Sequence, residues 1–183
     1  MKNNFLLYKP FLVFLLKFFV SYTILALVYH FYLQQFDATK NEADGFTEFV
    51  TIQTVETIQF FGYDCEAKPH ESEASYKMIV NQEYIARVVE GCNALSIIIL
   101  FVAFVIAFKG KLRTTILFIA CGILLIHFLN ILRIALICIA LLKYPQHQHL
   151  LHGVLFPLFI YGVVFLLWVV WVNKFSVYAS KTV

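Results

Sequence analysis

This sequence predicts an all-α integral membrane protein. About four transmembrane helices form a single membrane domain over residues 1–183, with one extracytoplasmic insert carrying an amphipathic helix and a small β-hairpin. Three observations predict it. Of the 183 residues 61% are apolar, 17% aromatic and only 14% charged, where a soluble domain averages roughly 25% charged. The apolar residues gather into runs comparable with the roughly 20 residues that cross a bilayer. Charge is segregated as well: all eleven acids lie between Asp37 and Glu90 beside only four bases, Lys40, Lys68, Lys77 and Arg87, and the rest of the chain carries ten bases and no acid.

The expected spans are about 11–33, 93–108, 114–142 and 154–172. The first is too long for a signal peptide, is interrupted by Lys17 and is followed by no small-x-small cleavage site, so it is expected to stay attached. Basic residues are retained on the cytoplasmic side. Lys2, Lys9 and Lys17 at the first span, Lys109, Lys111 and Arg113 between the second and third, and Lys174 and Lys181 after the fourth all fall on one side. Both termini are therefore expected in the cytoplasm, leaving the acidic insert 34–92 and the short 143–153 loop outside. Tyr29, Tyr32, Tyr144, Trp168 and Trp171 sit at run ends, where amphipathic rings favour the interface.

Within the insert, residues 45–61 place Phe46, Phe49, Val50, Ile52, Val55, Ile58 and Phe61 at an imperfect helical spacing. That suits either a membrane-skimming lid or a helix packed on the bundle. Residues 76–80 and 84–89 are β-prone runs separated by Asn81, Gln82 and Glu83, a hairpin leading directly into Glu90-Gly91-Cys92.

The absence of carboxylates from every spanning run removes several mechanisms. An intramembrane aspartyl protease needs two carboxylates in its helices, an HExxH zinc protease needs a glutamate base, and transporter-type proton relays need acidic carriers. A rhomboid-like serine site needs a GxSG-type turn, which neither Ser21 nor Ser96 supplies.

What remains is a short list of polar residues where the membrane tolerates few. Arg133 falls about 7 to 8 Å outward of the third run's centre, at about 1.5 Å per residue. Its partner is one of the insert's acids, backbone carbonyls, a thiolate or a substrate group, unless it snorkels to the surface. Asn130, three residues earlier, lies on nearly the same face. Cys92 is expected to open the second helix, where N–H groups favour a thiolate. As a nucleophile it needs a base, and the candidates are His147, His149 and His152, with His30 and His127 behind them. A Cys65–Cys92 disulfide and a metal held by HQHLLH are the alternatives. Cys92, Arg133 and His152 converge on the outer leaflet from three different helices, and a thiolate, an imidazole and a guanidinium together are sufficient for acyl transfer.

Glu90-Gly91-Cys92-Asn93-Ala94, then Asn130-Ile131-Leu132-Arg133-Ile134, then His152 ahead of Phe156-Pro157 and Tyr161-Gly162 resemble the motifs of the exosortase/archaeosortase family. These are membrane cysteine transpeptidases, and the likeness is greatest to the short F-type members from Bacteroidetes. The resemblance implies Cys92, Arg133 and His152 as the catalytic residues, with Asn93, Asn130, Glu90 and His149 binding or supporting. Gly153 stands where other members often carry an acidic or amide residue, which keeps His149 as the reserve base. It further implies a bacterial inner-membrane enzyme whose site faces the periplasm and which needs no cofactor and no metal. Such an enzyme cleaves the C-terminal sorting signal of a secreted protein, made of a short motif, a transmembrane helix and a basic cluster, and passes the acyl group to an envelope acceptor. No nucleic-acid partner is expected. The rival readings are a non-catalytic scaffold subunit of an envelope polysaccharide or secretion system, a small transporter, and a thiol oxidoreductase that would need both Cys65 and Cys92.

Overall fold

The computed structural model describes residues 2–37 and 41–176, apart from the side chains of residues 2–7, 152 and 156. Helix α1 (Lys2–Leu33) is followed by α2 (Gly45–Phe60), then by strands β1 (Cys65–Pro69), β2 (Ser75–Val80) and β3 (Glu83–Val89). A single 3₁₀ turn, Glu90–Cys92, leads into α3 (Leu95–Ala107) and α4 (Leu112–Lys143). The last segment winds from Pro145 through the one-turn α5 (Gln148–Leu150), a π turn Leu151–Leu155, α6 (Phe156–Val170) and a second π turn Trp171–Phe175.

Among the described residues, three helical segments are long and apolar enough to cross a membrane: Tyr8–Leu33, Leu112–Lys143 and Pro145–Phe175. The fourth expected span is shorter than its sequence run. Helix α3 has 13 residues and reaches about 20 Å at 1.5 Å per residue, against a hydrocarbon thickness of about 30 Å. Its beginning explains the shortening, because Asn93 and Ala94 are used to turn the chain rather than to extend the helix.

Two cores divide the molecule. In the bundle, Phe101 and Val105 of α3, Ile126 of α4, Ile160 and Val164 of α6 and Trp171 pack together. Gly122 of α4 makes this possible, since a Cβ there would lie 2.3 Å from the Phe101 ring. Gly110, in the tight turn between α3 and α4, likewise faces the Trp171 ring, 2.8 Å from where its Cβ would stand. Helix α1 stays outside this core and docks along α3, with Phe14 against Phe108 at 4.5 Å between ring centroids. Most of its apolar side chains are exposed, as suits a helix surrounded by lipid tails.

The second core joins the insert to the far end of α4. Val50 and Ile58 of α2, Met78, Val80 and Val88 of the sheet, and Ile134, Ala135 and Cys138 of α4 form it. The sheet is antiparallel in the order β1-β2-β3, so the expected hairpin gains a strand. β1 escapes sequence reading because Cys-Glu-Ala-Lys-Pro is short, half polar and ends in a residue that cannot donate to a ladder. Between β2 and β3 the two-residue loop Asn81-Gln82 takes positive φ at both positions, 51° and 68°, the backbone that matches strand twist in a tight hairpin.

Of the two readings of the amphipathic helix, packing on the bundle is the one found. Asp44 caps α2, accepting from the amides of Phe46 at 3.1 Å and Thr47 at 3.0 Å. The buried stripe is Thr47, Val50, Thr51, Thr54 and Ile58, whereas Phe49 and Ile52 are exposed. Thr51 and Thr54 donate their hydroxyls to carbonyls one turn back, at 2.7 and 2.8 Å. With its hydroxyl satisfied this way, a threonine presents its methyl group to a neighbour and packs like a small apolar residue.

Candidate active site

The site is built where the insert meets the bundle. The chain leaves β3 at Val89, turns through Glu90–Cys92 and enters α3. Ala94 has φ +64°, a left-handed conformation costing a residue with a Cβ roughly 1 to 2 kcal/mol. Asn93 offsets that cost, its Oδ1 accepting from the Leu95 amide at 2.9 Å. Helix α3 thus starts at Leu95 behind Ala94 as its N-cap, with Asn93 supplying the side-chain acceptor, and not at Cys92. The thiol expected at the helix N-terminus stands one turn earlier, because the backbone reverses between the two.

Three helices, α1, α2 and α4, hold this turn. Asn130 of α4 donates from Nδ2 to the Cys92 carbonyl at 2.8 Å. Asn93, fully buried, donates to Thr47 Oγ1 at 3.1 Å and Tyr29 Oη at 3.4 Å. Tyr29 in turn donates to Glu90 Oε1, and Thr47 to the capping Asp44. A further tie, from the Phe46 amide to Tyr32 Oη at 3.1 Å, joins α1 to the start of α2. Polar networks of this kind favour one geometry, since losing a member leaves another buried and unpaired; Asn130 Oδ1 has no partner among the described residues.

Cys92 opens onto a hollow of about 300 Å³ whose walls include Val88, Arg133, Ile137, Cys138 and Gln148. Arg133 lies close enough to Cys92 and Tyr161 for both to act on its charge. Its Nε is buried and makes no hydrogen bond among the described residues. The two residues therefore face one cavity from different elements. All four cysteines are free thiols, Cys65 included. Burial, seconded by Asp64 and Glu66, pushes the Cys65 thiol up to about 11.

The histidines divide. The backbone of His152 lies in the π turn Leu151–Leu155, a feature frequent at functional sites, and its side chain lies outside the described residues. His149 and His147 are exposed and are not among the cavity's lining, where the neighbouring Gln148 is found instead. His127 bonds Gln53 of α2 at 2.8 Å and stacks on Phe49, with centroids 5.6 Å apart. It thus serves to tie α2 to α4. His30 pairs with Gln34 at 3.1 Å. Among the described residues no three of His, Cys, Asp and Glu come together as a metal set.

Tyr29, Asp44, Thr47 and Gln148 were not singled out from sequence as site residues. Asp44 carried a readable signal, an acid directly before the periodic run of α2. Tyr29 looked like an interface aromatic, and the distance along the chain from Tyr29 to Glu90 hides their pairing.

The transmembrane exosortase family model (Exosortase_EpsH) matches residues 6–173, a stretch that includes the Cys92 turn, Arg133 and the π turn of His152. No curated protein matches significantly, and neither does any solved structure. The family is one of cysteine transpeptidases with a role in protein sorting. With nearly its whole length matched, this chain belongs to the transmembrane exosortase family.

Proposed function

We propose that this chain is a cysteine transpeptidase of the bacterial inner membrane. It removes the C-terminal sorting signal of a secreted protein and transfers that protein to an envelope acceptor. The observation that carries the reading is the sharing of one hollow by Cys92 and Arg133, with the Cys92 carbonyl anchored by Asn130. Arg133 cannot be explained as an ion-paired residue of the bundle, because no spanning helix offers it a carboxylate. A guanidinium kept beside a thiol, with a donor to spare, suits the charge of a tetrahedral intermediate.

In the proposed reaction His152 takes the Cys92 proton as the sulfur attacks the scissile carbonyl carbon. Arg133 stabilises the oxyanion. Collapse breaks the C–N bond, and His152 returns its proton to the leaving amine on the sorting helix. The thioester left on Cys92 is then attacked by the acceptor nucleophile, whose proton passes to His152, and the thiol is regenerated. Asn130, Asn93 and Glu90 hold the Cys92 turn, and His149 is the reserve base. The partners are secreted proteins bearing a motif, a transmembrane helix and a basic cluster, together with the surrounding lipid.

The same proposal includes both termini in the cytoplasm, the site facing the periplasm and a place among the F-type members. It also includes four crossings of the bilayer. The hydrogen bond to Asn130 sets the Cys92 turn well down α4, so α3 starts below the membrane surface and has less distance to cover.

Co-expression with a reporter carrying a C-terminal helix and basic tail tests the reading. Wild type should shorten the reporter on a gel, and Cys92→Ala should leave it full length while accumulating normally in the membrane. Cleavage by Cys92→Ala equal to wild type would sink the transpeptidase and leave the scaffold reading.

A further inference from the structure

Arg133 borders two hollows. On one side is the Cys92 cavity, and on the other an apolar groove of about 420 Å³ between α4 and α6, walled by Leu132, Leu136, Leu155, Leu158 and Phe159. The groove walls are one turn of each helix, Leu132 to Leu136 and Leu155 to Phe159. Leu158 is 70% exposed, so the groove opens sideways from the bundle.

Depth decides what can use it. Helix α4 has 32 residues, about 48 Å of rise. Centred on a hydrocarbon layer of about 30 Å, it extends about 9 Å beyond each face. Arg133 is ten residues short of Lys143, about 15 Å from that end and so about 6 Å below the hydrocarbon surface. The Cys92 turn is tied to Asn130, about 4.5 Å deeper along α4. A peptide bond anchored by its own transmembrane helix can reach that level through the bundle's side.

Charge complementarity points the same way. A peptide that leaves its helix at this depth has carbonyl oxygens that hydrocarbon cannot satisfy, each costing several kcal/mol if unpaired. Arg133 Nε is a donor that no described residue uses. A fatty acyl chain in the groove would bring no acceptor to this level.

We propose that this groove seats the sheet-side end of the substrate's transmembrane helix, with Arg133 receiving the carbonyls of the extended residues that lead from the helix across to Cys92. The inference rests on the transpeptidase reading and adds where the substrate enters. Arg133 then serves as the gatepost between lipid and thiol as well as the oxyanion's partner.

Disulfide trapping tests it. A reporter with one cysteine in the first turn of its C-terminal helix is co-expressed with Cys92→Ala, which retains uncleaved reporter. The membrane protein carries either Leu158→Cys in the groove or Val28→Cys on the exposed face of the outer half of α1. Both native side chains are well exposed, 70% and 62%, so neither change disturbs packing. Copper phenanthroline takes two electrons from each thiol pair to form the disulfide. The adduct should be at least about fivefold more abundant at Leu158→Cys. Equal or greater capture at Val28→Cys overturns the inference. So does labelling of the groove by a photoactivatable phosphatidylethanolamine that the reporter fails to reduce. Reporter cleavage by the enzyme with Cys92 intact, scored in parallel, separates the two ideas. Cleavage without capture at Leu158→Cys removes the groove and leaves the transpeptidase, whereas neither cleavage nor capture removes both.

Discussion

Asn130 illustrates how one buried side chain can fix a turn of the backbone from another helix. Its amide holds the Cys92 carbonyl, and it is fully buried. Asn130→Ala leaves that carbonyl unpaired, costing about 1 to 3 kcal/mol. Reporter cleavage should fall at least tenfold while the protein still reaches the membrane, and unchanged cleavage would make Asn130 merely structural filler. Arg133→Lys keeps the charge but loses the planar fork, and cleavage should again drop at least tenfold. Thiol chemistry provides a third test. Cys65 is 3% exposed with its thiol pushed up to about 11, whereas Cys92 lines a hollow. At pH 8 iodoacetamide should modify Cys92 well before Cys65, as read by peptide mass spectrometry, with Cys65 catching up only as the pH approaches 11. Because folding raises this thiol above the value near 9 of the unfolded chain, its contribution to stability is complete below pH 9 and is lost between about 9 and 11. Arg133 and Asn130 stood out in the sequence because polar residues in apolar runs are conspicuous, and Cys92 because it directly precedes such a run. Tyr29 and Thr47 were not, because the feature that marks them is a contact across the fold.

At the scale of elements, glycine and threonine matter more than the large apolar residues. The contact of α3 with α4 depends on Gly122, where a Cβ would stand 2.3 Å from the Phe101 ring. Gly122→Ala must displace an aromatic ring in a closed core, at about 1 to 3 kcal/mol. A fall in thermal stability in detergent of several degrees is expected, and no change would mean that α3 packs elsewhere. The α2 case shows where pattern reading stops. A hydropathy stripe selects Phe49 and Ile52, yet the buried face is threonine-rich. Threonine hydroxyls are absorbed by the helix's own carbonyls, and Phe49 remains half exposed while stacking on His127 of α4. Hydropathy alone therefore does not pick out the buried face of α2. For the same reason β1 was missed, since an edge strand needs little apolar character of its own.

For the whole molecule, the acidic insert and the basic flanks imply one orientation. A fluorescent protein fused after Val183 should fold and fluoresce in the cytoplasm, and a tag placed in the Asn81-Gln82 turn should be reached by protease only from the periplasmic side. The opposite result at either position would reverse the proposed sidedness. The membrane class, the long apolar helices and a short list of candidate residues were determined by the sequence alone, because hydropathy, charge and residue chemistry are properties of positions along a line. Only the tertiary structure decided that α3 starts behind a left-handed Ala94 rather than at Cys92, that α1, α2 and α4 jointly hold one turn, and that Arg133 stands between a thiol-lined hollow and a groove open to the side. Those facts depend on hydrogen bonds and close contacts between residues remote in sequence, whose partners are chosen by packing geometry rather than by local pattern.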